Sequence, residues 1–328
     1  MIKENEKYSA YQGKGWQNRT GNQILDVQNG IIWNKCSVNS EWNDLKEVLL
    51  YIPEFDQPSI DDPNSIQHID IIDFNKLAMQ FKKMVNCLNQ NKIKVHLIKN
   101  FFFRFLNIKK YHYNLMFVCD LFFMTPEGAI ISRMASSVRA GEEKYVSKAL
   151  ADIGVPIIKT ITGKGTFEGA DAVWISKDTL LIGTGNRTNY EAFIQIKKCL
   201  KTQGINCINI HLPRGIQHLK AILQIVDSKL AVIRNNLFSD ELFSILRKFG
   251  YNFIELPESI SVTKRQALNF ITIAPRQIIM VSDNKDIKKI LTDNNIRIIA
   301  ELDFSELIKG AGGICCATGV LCRKFIDM

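Results

Sequence analysis

Short apolar runs recur along the chain and alternate with amphipathic stretches. Four of these runs begin roughly 50 residues apart, a period typical of repeated structural units, and they read GAIISRM, TLLIGTG, KLAVIR and QIIMVS. Their content of Ile, Val and Leu predicts buried strands. Each run is followed by a stretch with apolar residues at three- and four-residue steps, which predicts a helix, and then by a second strand-like run.

Further segments complete this repeat. LMFVCDLFF and DAVWIS read as extra strands between units, and an earlier unit runs from LKEVLLYIP, over a helix near Phe74 to Gln90, to KIKVHLIK. Gly154, Gly204 and Gly250 follow predicted helices, where a glycine C-cap is favoured. The sum is about five ββαβ units, which predicts an α/β fold closed by pseudo-symmetry rather than an open doubly wound sheet.

Composition narrows the class of protein. The chain has 328 residues, 46% of them hydrophobic, and can bury a sizeable core. No linker rich in Pro, Gly or Ser divides it, so we predict a single domain. The sequence shows no secretory signal and no apolar stretch long enough to span a bilayer. We therefore expect a soluble, cytoplasmic protein with no membrane partner.

Charge and cysteine content exclude further classes. The net charge of +9 comes from scattered lysines, and no arginine cluster interleaved with aromatics is present, so we expect no nucleic-acid partner. The eight cysteines are irregularly spaced, and the sequence offers neither a CxxC pair nor a histidine-rich set with metal-ligand spacing. We expect mostly buried, reduced thiols, no metal and no other cofactor.

Candidate functional residues stand at the junctions between units, because loops of a closed repeat converge on a central cavity. FVCD places Asp120 in an apolar strand-like run, GKGTFEGAD carries Glu168 and Asp171, and GIQHLK carries His218 and Lys220 on one side of an extended segment. A buried carboxylate needs a cation or N–H donors, and histidine is the usual general acid or base. Each also has a structural explanation, as a hydrogen-bonded Asp, a turn or a core His.

Two arginines and a cysteine pair extend the set. Arg139 in SSVRAGEE and Arg187 in GTGNRTN could bind a carboxylate bidentately or simply carry surface charge. GAGGICCATGVLCR places Cys315 and Cys316 after a glycine-rich turn, and as neighbours on a strand they would face opposite sides. A thiol, an imidazole, acids and arginines at unit junctions indicate a cysteine nucleophile acting on a cationic substrate.

From about Ser37 to its end, the chain resembles the guanidine-modifying superfamily of arginine deiminases, dimethylarginine dimethylaminohydrolases and amidinotransferases. SEWNDLKEVLLYIP, FVCD, FEGAD, LIGTGNRTN, HLK and GGICCATG carry the resemblance, in that order. It implies an N-terminal extension over residues 1–36 and a single catalytic domain over residues 37–328. It also implies a five-bladed α/β propeller, the pentein-like fold, with the active site in a central cavity. This agrees with the repeat found in the apolar pattern.

The resemblance also implies catalytic roles. Cys316 matches the nucleophile, His218 the catalytic histidine, and Glu168 the acid that holds both the histidine and the guanidinium group. Attack of Cys316 on the guanidinium carbon would give a covalent amidino-thioether, with His218 protonating the departing amine. Water would then release a ureido product, whereas an acceptor amine would release a new guanidine.

Substrate-binding roles follow in the same way. Asp120 matches the carboxylate that pairs with guanidinium N–H groups, and Arg139 and Arg187 match arginines that hold the α-carboxylate of the substrate. We add Asp171 and Lys220 to this set. Lys220 stands where deiminases and amidinotransferases carry the Asp of HxD, and HLK is the sequence of the dimethylarginine hydrolases.

Three functions fit the sequence. The first is hydrolysis of a substituted arginine-like guanidine to a ureido product and an amine. The second is amidino transfer, which shares every catalytic residue with the first, and the third is a non-catalytic propeller that binds a partner. The expected partner is a small cationic guanidino substrate. The sequence is also compatible with a homo-oligomer.

Overall fold

The computed structural model describes residues 6–53, 60–99 and 112–327. Within these ranges the strands form five three-stranded sheets. The strands are β1 (Leu45–Leu50), β2 (Lys94–Leu97), β3 (Phe122–Thr125), β4 (Gly128–Ile131), β5 (Ile157–Thr160), β6 (Ala172–Ser176), β7 (Thr179–Thr184), β8 (Asn206–His211), β9 (Leu223–Asp227), β10 (Leu230–Arg234), β11 (Asn252–Leu256), β12 (Ile271–Ala274), β13 (Gln277–Val281), β14 (Arg297–Leu302) and β15 (Gly319–Arg323).

Helices connect the strands of each sheet. The α-helices of the described residues are α1 (Gln23–Asn29), α2 (Phe74–Gln90), α3 (Glu143–Ile153), α4 (Tyr190–Lys201), α5 (Asp240–Lys248), α6 (Ile260–Thr263), α7 (Lys285–Asp293), α8 (Ser305–Lys309) and α9 (Ile314–Ala317). The 3₁₀ helices are Ser9–Tyr11, Pro63–Ile66, Val118–Asp120, Gly169–Asp171, Leu219–Ala221 and Asn235–Leu237. No helix of the described ranges combines the length and the apolar character that a membrane crossing requires.

Four of the sheets repeat one topology. In each, an antiparallel hairpin is followed by a helix and by a third strand parallel to the middle one, as in β3–β4–α3–β5 and β6–β7–α4–β8. The units β9–β11 and β12–β14 follow the same order. A parallel return needs such a crossover, whereas a hairpin needs only a turn. The predicted ββαβ units and the five-bladed α/β fold are confirmed.

The remaining sheet joins the two ends of the domain. Strand β1 pairs in parallel with β2 and antiparallel with β15, with Val48 opposite Val320. The C-terminal strand thus supplies the first strand of the unit that begins at Leu45. This pairing closes the repeat and leaves β15 next to the turn that carries the cysteine pair.

The helices follow the amphipathic pattern that the sequence predicts. Helix α2 begins where the Asp73 carboxylate accepts the Lys76 N–H at 3.0 Å, and it buries Leu77, Phe81 and Met84 at three- and four-residue steps. Gly154 follows α3 with a φ of 86°, a left-handed conformation that favours glycine.

The N-terminal segment also contacts the domain. Val27 of α1 is fully buried, and the Asn34 N–H donates to the Gly154 carbonyl at 2.9 Å. Residues 1–5 of the predicted extension lie outside the described residues. The domain boundary at residue 36 stays a prediction.

Short helical turns precede β3, β6, β9 and β15, and the candidate acids, His218, Lys220 and the cysteine pair lie on these turns or directly before them. Two predictions about local structure were wrong. Asp120 lies on a 3₁₀ turn rather than within a strand, and Cys315 and Cys316 lie on the helical turn Ile314–Ala317. Short apolar runs fit a strand or a buried helical turn equally well, and tertiary packing selected the turn here.

Candidate active site

His218 and Glu168 form the buried centre of the site. Nε2 of His218 donates to Oε2 of Glu168 at 2.7 Å, and both side chains are buried. The other carboxylate oxygen, Oε1, accepts from Arg187 at 3.3 Å. Both oxygens of Glu168 are therefore engaged by the protein.

Burial and charge together set the protonation of this pair. Although burial opposes the charged imidazole, the charge of Asp120 and the hydrogen bond to Glu168 raise the pKa of His218 to about 9. Burial likewise opposes the Glu168 carboxylate, but its hydrogen bond to His218 and the nearby arginines lower its pKa to about 2. At neutral pH the pair is imidazolium and carboxylate, so His218 holds a proton that it can give to a leaving group.

Asp120 offers one free carboxylate oxygen to the site. Its Oδ2 accepts from Nη1 of Arg139 at 2.6 Å, whereas its buried Oδ1 has no hydrogen-bond partner among the described residues. Nδ1 of His218 lies 4.0 Å from this Oδ1. A buried acceptor without a donor is costly, and a ligand N–H would satisfy it.

Arg139 is fully occupied by protein acceptors. Its Nε donates to Glu142 at 2.9 Å and its Nη1 to Asp120, while Nη2 donates to the carbonyls of Asn114 and Phe117 at 3.3 Å. The side chain is only 3% exposed. These contacts favour a role in positioning Asp120, and the expected contact with a substrate carboxylate stays a prediction.

Arg187 and Asp171 differ in their access to the cavity. The Arg187 side chain is 16% exposed and lines a narrow cleft with Asp120, His218 and Cys316. Asp171 instead accepts from the Thr188 hydroxyl at 2.6 Å and from the Leu219 N–H at 3.0 Å. Asp171 thus holds the turn next to His218, and this favours a positioning role over substrate contact.

An amide that the sequence did not single out orients Cys316. Nδ2 of Asn269 donates to the Cys316 sulfur at 3.0 Å, and its Oδ1 accepts the Cys316 N–H at 3.2 Å. Asn269 lies two residues before β12, and Asp120, Asp171 and His218 lie on, or directly before, the turns that lead into β3, β6 and β9. The repeat itself is the signal, because this junction between units is the one at which the sequence motifs name no candidate.

The glycines beside the cysteine pair allow close packing against the Asp120 turn. A Cβ on Gly312 would lie 2.4 Å from the Phe117 ring, and one on Gly319 would lie 2.6 Å from the Phe122 ring. Any larger residue would push the two turns apart. The glycine-rich sequence therefore brings Cys316 to the carboxylate at Asp120.

The Cys316 side chain is a protonated thiol at neutral pH. Burial and the negative charge of Asp120 raise its pKa to about 12, although the hydrogen bond from Asn269 acts in the opposite direction. A thiol is a weak nucleophile. Positive charge placed next to Asp120 would favour the thiolate.

A second group of side chains lines the adjoining cavity of about 200 Å³, which Cys119, Lys220, Cys315 and Cys316 share. Nζ of Lys220 pairs with Glu41 at 3.3 Å. Burial opposes the ammonium charge, but Glu41 raises the pKa of Lys220. His218 and Lys220 both reach this cavity, as expected, yet they have separate acidic partners. Cys315 also reaches it, so the prediction that it points away was wrong.

Asp120, Glu168 and His218 also have the spacing of a metal site, with one ligand atom each within 4.8 Å of the others. Arg139 and Arg187 already supply positive charge to the two acids. The raised pKa of His218 means that its ring holds a proton instead of a free lone pair. These charges favour the protonated histidine over a bound cation.

Comparison with known proteins identifies relatives. The family model described as arginine deiminase matches residues 110–250 and 238–323. The uncharacterized protein YkgA of Bacillus subtilis is 25% identical over 301 residues, which cover 91% of this chain and 99% of YkgA. Arginine deiminase 1 of Staphylococcus epidermidis is 24% identical over 258 residues, which cover 65% of this chain and 62% of that enzyme.

Solved structures agree with the fold. DDAH of Pseudomonas aeruginosa, determined with citrulline, aligns with a TM-score of 0.67 at 22% identity, over 86% of this chain and 100% of that chain. The amidinotransferase SxtG of Microseira wollei aligns with a TM-score of 0.70 at 14% identity, over 89% of this chain and 99% of that chain. At these identities the likeness concerns the fold.

Proposed function

Since the chain belongs to the arginine deiminase family, we propose that it hydrolyses a substituted arginine-like guanidine through a covalent intermediate on Cys316. The observation that carries the proposal is the unpartnered Oδ1 of Asp120, which is buried within the described residues. A guanidinium group supplies both the positive charge and the N–H donors that this oxygen lacks. The cleft that Asp120 lines is shared with His218 and Cys316.

Substrate binding would activate the nucleophile. A guanidinium ion at Asp120 offsets the negative charge that holds the Cys316 thiol protonated. The thiol proton passes to solvent, since His218 is already protonated. The Asn269 amide stabilises the sulfur, and the thiolate forms a bond to the guanidinium carbon as the guanidinium C=N π electrons move onto nitrogen. The free protein therefore keeps an inert thiol, and the substrate itself makes it reactive.

His218 would act first as acid and then as base. Its imidazolium protonates the departing nitrogen, the C–N bond breaks, and an amidino-thioether remains on Cys316. The neutral imidazole then takes a proton from water, whose oxygen bonds to the amidino carbon and releases the ureido product and the thiol. Glu168 holds the ring throughout through its 2.7 Å hydrogen bond.

The acids of the site favour a substituted guanidine. Both Glu168 oxygens and both Asp171 oxygens have protein partners, so Asp120 offers a single free oxygen and meets one edge of the guanidinium. Lys220 occupies the place of a second carboxylate, and its pairing with Glu41 keeps it from repelling the substrate outright. The opposite edge of the guanidinium finds no free acceptor among these acids, and alkyl groups there would replace N–H groups that would otherwise lack a partner. Hydrolysis of a methylated arginine would give citrulline, the ligand of the DDAH structure with a similar fold.

Amidino transfer is the alternative, because the similar fold of SxtG belongs to an amidinotransferase. Mass spectrometry of products separates the two. The protein is incubated with arginine, methylated arginines, agmatine or guanidinoacetate, each with and without glycine or ornithine. A ureido product without an added amine supports hydrolysis, and a new guanidine that requires the amine supports transfer. Cys199, on helix α4, provides the control. Loss of both activities in Cys316→Ser, together with their retention in Cys199→Ser, would assign the chemistry to Cys316. If the unmodified protein turns over none of these guanidines, the proposal is rejected.

A further inference from the structure

Cys119 and Cys315 lie side by side in the cavity next to the proposed nucleophile. The turn Ile314–Ala317 packs on the turn Val118–Asp120, and both thiols line the same cavity of about 200 Å³. Asp120 and Cys316, which directly follow these two cysteines in sequence, also share one cleft. The mechanism proposed above uses neither Cys119 nor Cys315.

The surroundings make the two sulfurs chemically different. The hydrogen bond from Cys119 and the charge of Lys220 lower the pKa of the Cys315 thiol, although burial opposes this. The same hydrogen bond, together with burial, raises the pKa of Cys119. Nε2 of Gln224 adds a donor 3.7 Å from the Cys315 sulfur. Cys315 is thus the thiol of the pair that ionises more readily, and Cys119 is the proton donor.

The other cysteines lack this combination. Cys36 and Cys322 also lie close together, at the bridge between Ser37 and Cys322, but burial raises their pKa values to about 12 and about 11. Cys316, adjacent to Cys315 in sequence, is likewise held as a thiol. The thiolate is the form that reacts with oxidants.

We propose that Cys119 and Cys315 are a redox-active thiol pair that a hydroperoxide converts into a reversible disulfide. The Cys315 thiolate attacks the peroxide oxygen, the O–O bond breaks, and Cys315 becomes a sulfenic acid. The Cys119 sulfur then attacks the Cys315 sulfur, the S–O bond breaks, and water departs with the Cys119 proton. The peroxide gains two electrons and the pair loses two; a dithiol reductant reverses the step.

The disulfide would tie the Asp120 turn to the Cys316 turn. Asp120 follows Cys119 directly, and Cys316 follows Cys315, so the bond would fix the distance between the carboxylate and the nucleophile. It would also replace the two thiols in the cavity wall by a disulfide that has no S–H donor. The oxidised protein should therefore bind and turn over a guanidine less well than the reduced one.

The test uses the full chain and does not require turnover. The protein is treated with a small molar excess of hydrogen peroxide, free thiols are blocked with N-ethylmaleimide, and peptides are mapped by mass spectrometry before and after dithiothreitol. We expect a Cys119–Cys315 cross-link that dithiothreitol removes. Cys36 and Cys322 serve as the control pair, and they should stay reduced and carry N-ethylmaleimide. First oxidation at Cys316, or a Cys36–Cys322 cross-link at the same peroxide dose, overturns the proposal.

A variant identifies the attacking sulfur. In Cys119→Ser the cross-link is lost and dimedone traps a sulfenic acid at Cys315; in Cys315→Ser no sulfenic acid forms at Cys119. Trapping at Cys119 instead reverses the assignment and contradicts the proposal. If either variant does not fold, Lys220→Met provides the test, because removal of the ammonium should slow cross-linking at least several-fold. The mapping result is independent of whether any guanidine is a substrate.

Discussion

The Asn269 amide contacts Cys316 twice, with Nδ2 3.0 Å from the sulfur and Oδ1 3.2 Å from the backbone nitrogen. Asn269 and Cys316 belong to different units of the fold, and the two contacts fix both the backbone and the side chain of the cysteine. The amide donates to the sulfur and would stabilise the thiolate when it forms. Asn269 should therefore affect the rate of thiolate attack more than the binding of substrate.

Asn269→Ala removes the donor, and a hydrogen bond to a charged group contributes about 1.5–3 kcal/mol. We expect kcat to fall roughly tenfold to a hundredfold with a smaller change in KM. Asn269→Asp, of nearly the same shape, places a negative charge at the sulfur and should be worse than Ala. A Cys316 alkylation rate that is unchanged in both variants would contradict this role.

Cys316→Ser should abolish turnover, because an alcohol at this position is a far weaker nucleophile than a thiolate. Cys315→Ser should keep measurable turnover, since the Cys315 sulfur contacts Gln224 rather than the acids of the cleft. Product formation by mass spectrometry checks both variants, and circular dichroism confirms folding. Activity that survives in Cys316→Ser and disappears in Cys315→Ser would reverse the assignment.

Asp120 should suppress the reactivity of the free enzyme. Its charge raises the pKa of Cys316, so Asp120→Asn should lower that pKa and speed Cys316 alkylation at neutral pH several-fold, while guanidine turnover is lost. In the unmodified protein, iodoacetamide should label Cys315 before Cys316, and a bound guanidine should accelerate labelling of Cys316. Peptide mapping over time distinguishes the two sites. Slower labelling of Cys316 in Asp120→Asn would contradict the charge argument.

The His218–Glu168 pair should make the free energy of unfolding depend on pH. The folded pKa of His218 is raised from 6.5 to about 9, so its contribution to the free energy of unfolding is complete below pH 6.5 and is lost as the pH rises through 9. The size is on the order of 3 kcal/mol. Glu168, with a pKa lowered from 4.5 to about 2, contributes above pH 4.5 and loses its contribution as the pH falls through 2.

Urea unfolding of the unmodified protein and of His218→Gln, measured across the alkaline range, tests this. The difference in unfolding free energy between the two should shrink as the pH rises through 9. Lys148→Gln, which changes an exposed pair with Asp152, serves as the control and should show little pH-dependent difference. A His218→Gln difference that grows with pH would contradict the assigned protonation.

Lys220 and Glu41 should determine which guanidines are accepted. Lys220→Asp alone leaves two acids together in the cavity wall and should destabilise the fold. The exchange Lys220→Asp with Glu41→Lys keeps the pair and offers the substrate a second carboxylate. We expect the ratio of kcat/KM for arginine over dimethylarginine to rise at least tenfold, about 1.4 kcal/mol. An unchanged ratio in a folded double variant would show that Lys220 does not face the substituted edge.

The sequence by itself was sufficient to predict the repeat and to identify most of the functional residue types at the junctions between units. The period of apolar runs is a local property of the chain, because each unit buries its own strands and helix by the same pattern. The resemblance in FVCD, FEGAD, HLK and GGICCATG then marked Asp120, Glu168, His218 and Cys316, which the structure places around one cleft. Asn269 was overlooked although the same period pointed to its junction.

Only the tertiary structure decided how these residues are paired and charged. Arg139 is satisfied by Asp120, by two backbone carbonyls and by Glu142, three residues along the chain. Lys220 is satisfied by Glu41. Apart from Glu142, these partners are distant in sequence and no local pattern identifies them. The turn at Ile314–Ala317 replaced the expected strand and brought Cys315 to Cys119. The reason is physical: pKa values and hydrogen-bond partners depend on burial and on charges brought together by long-range packing, whereas apolar periodicity depends on neighbours along the chain.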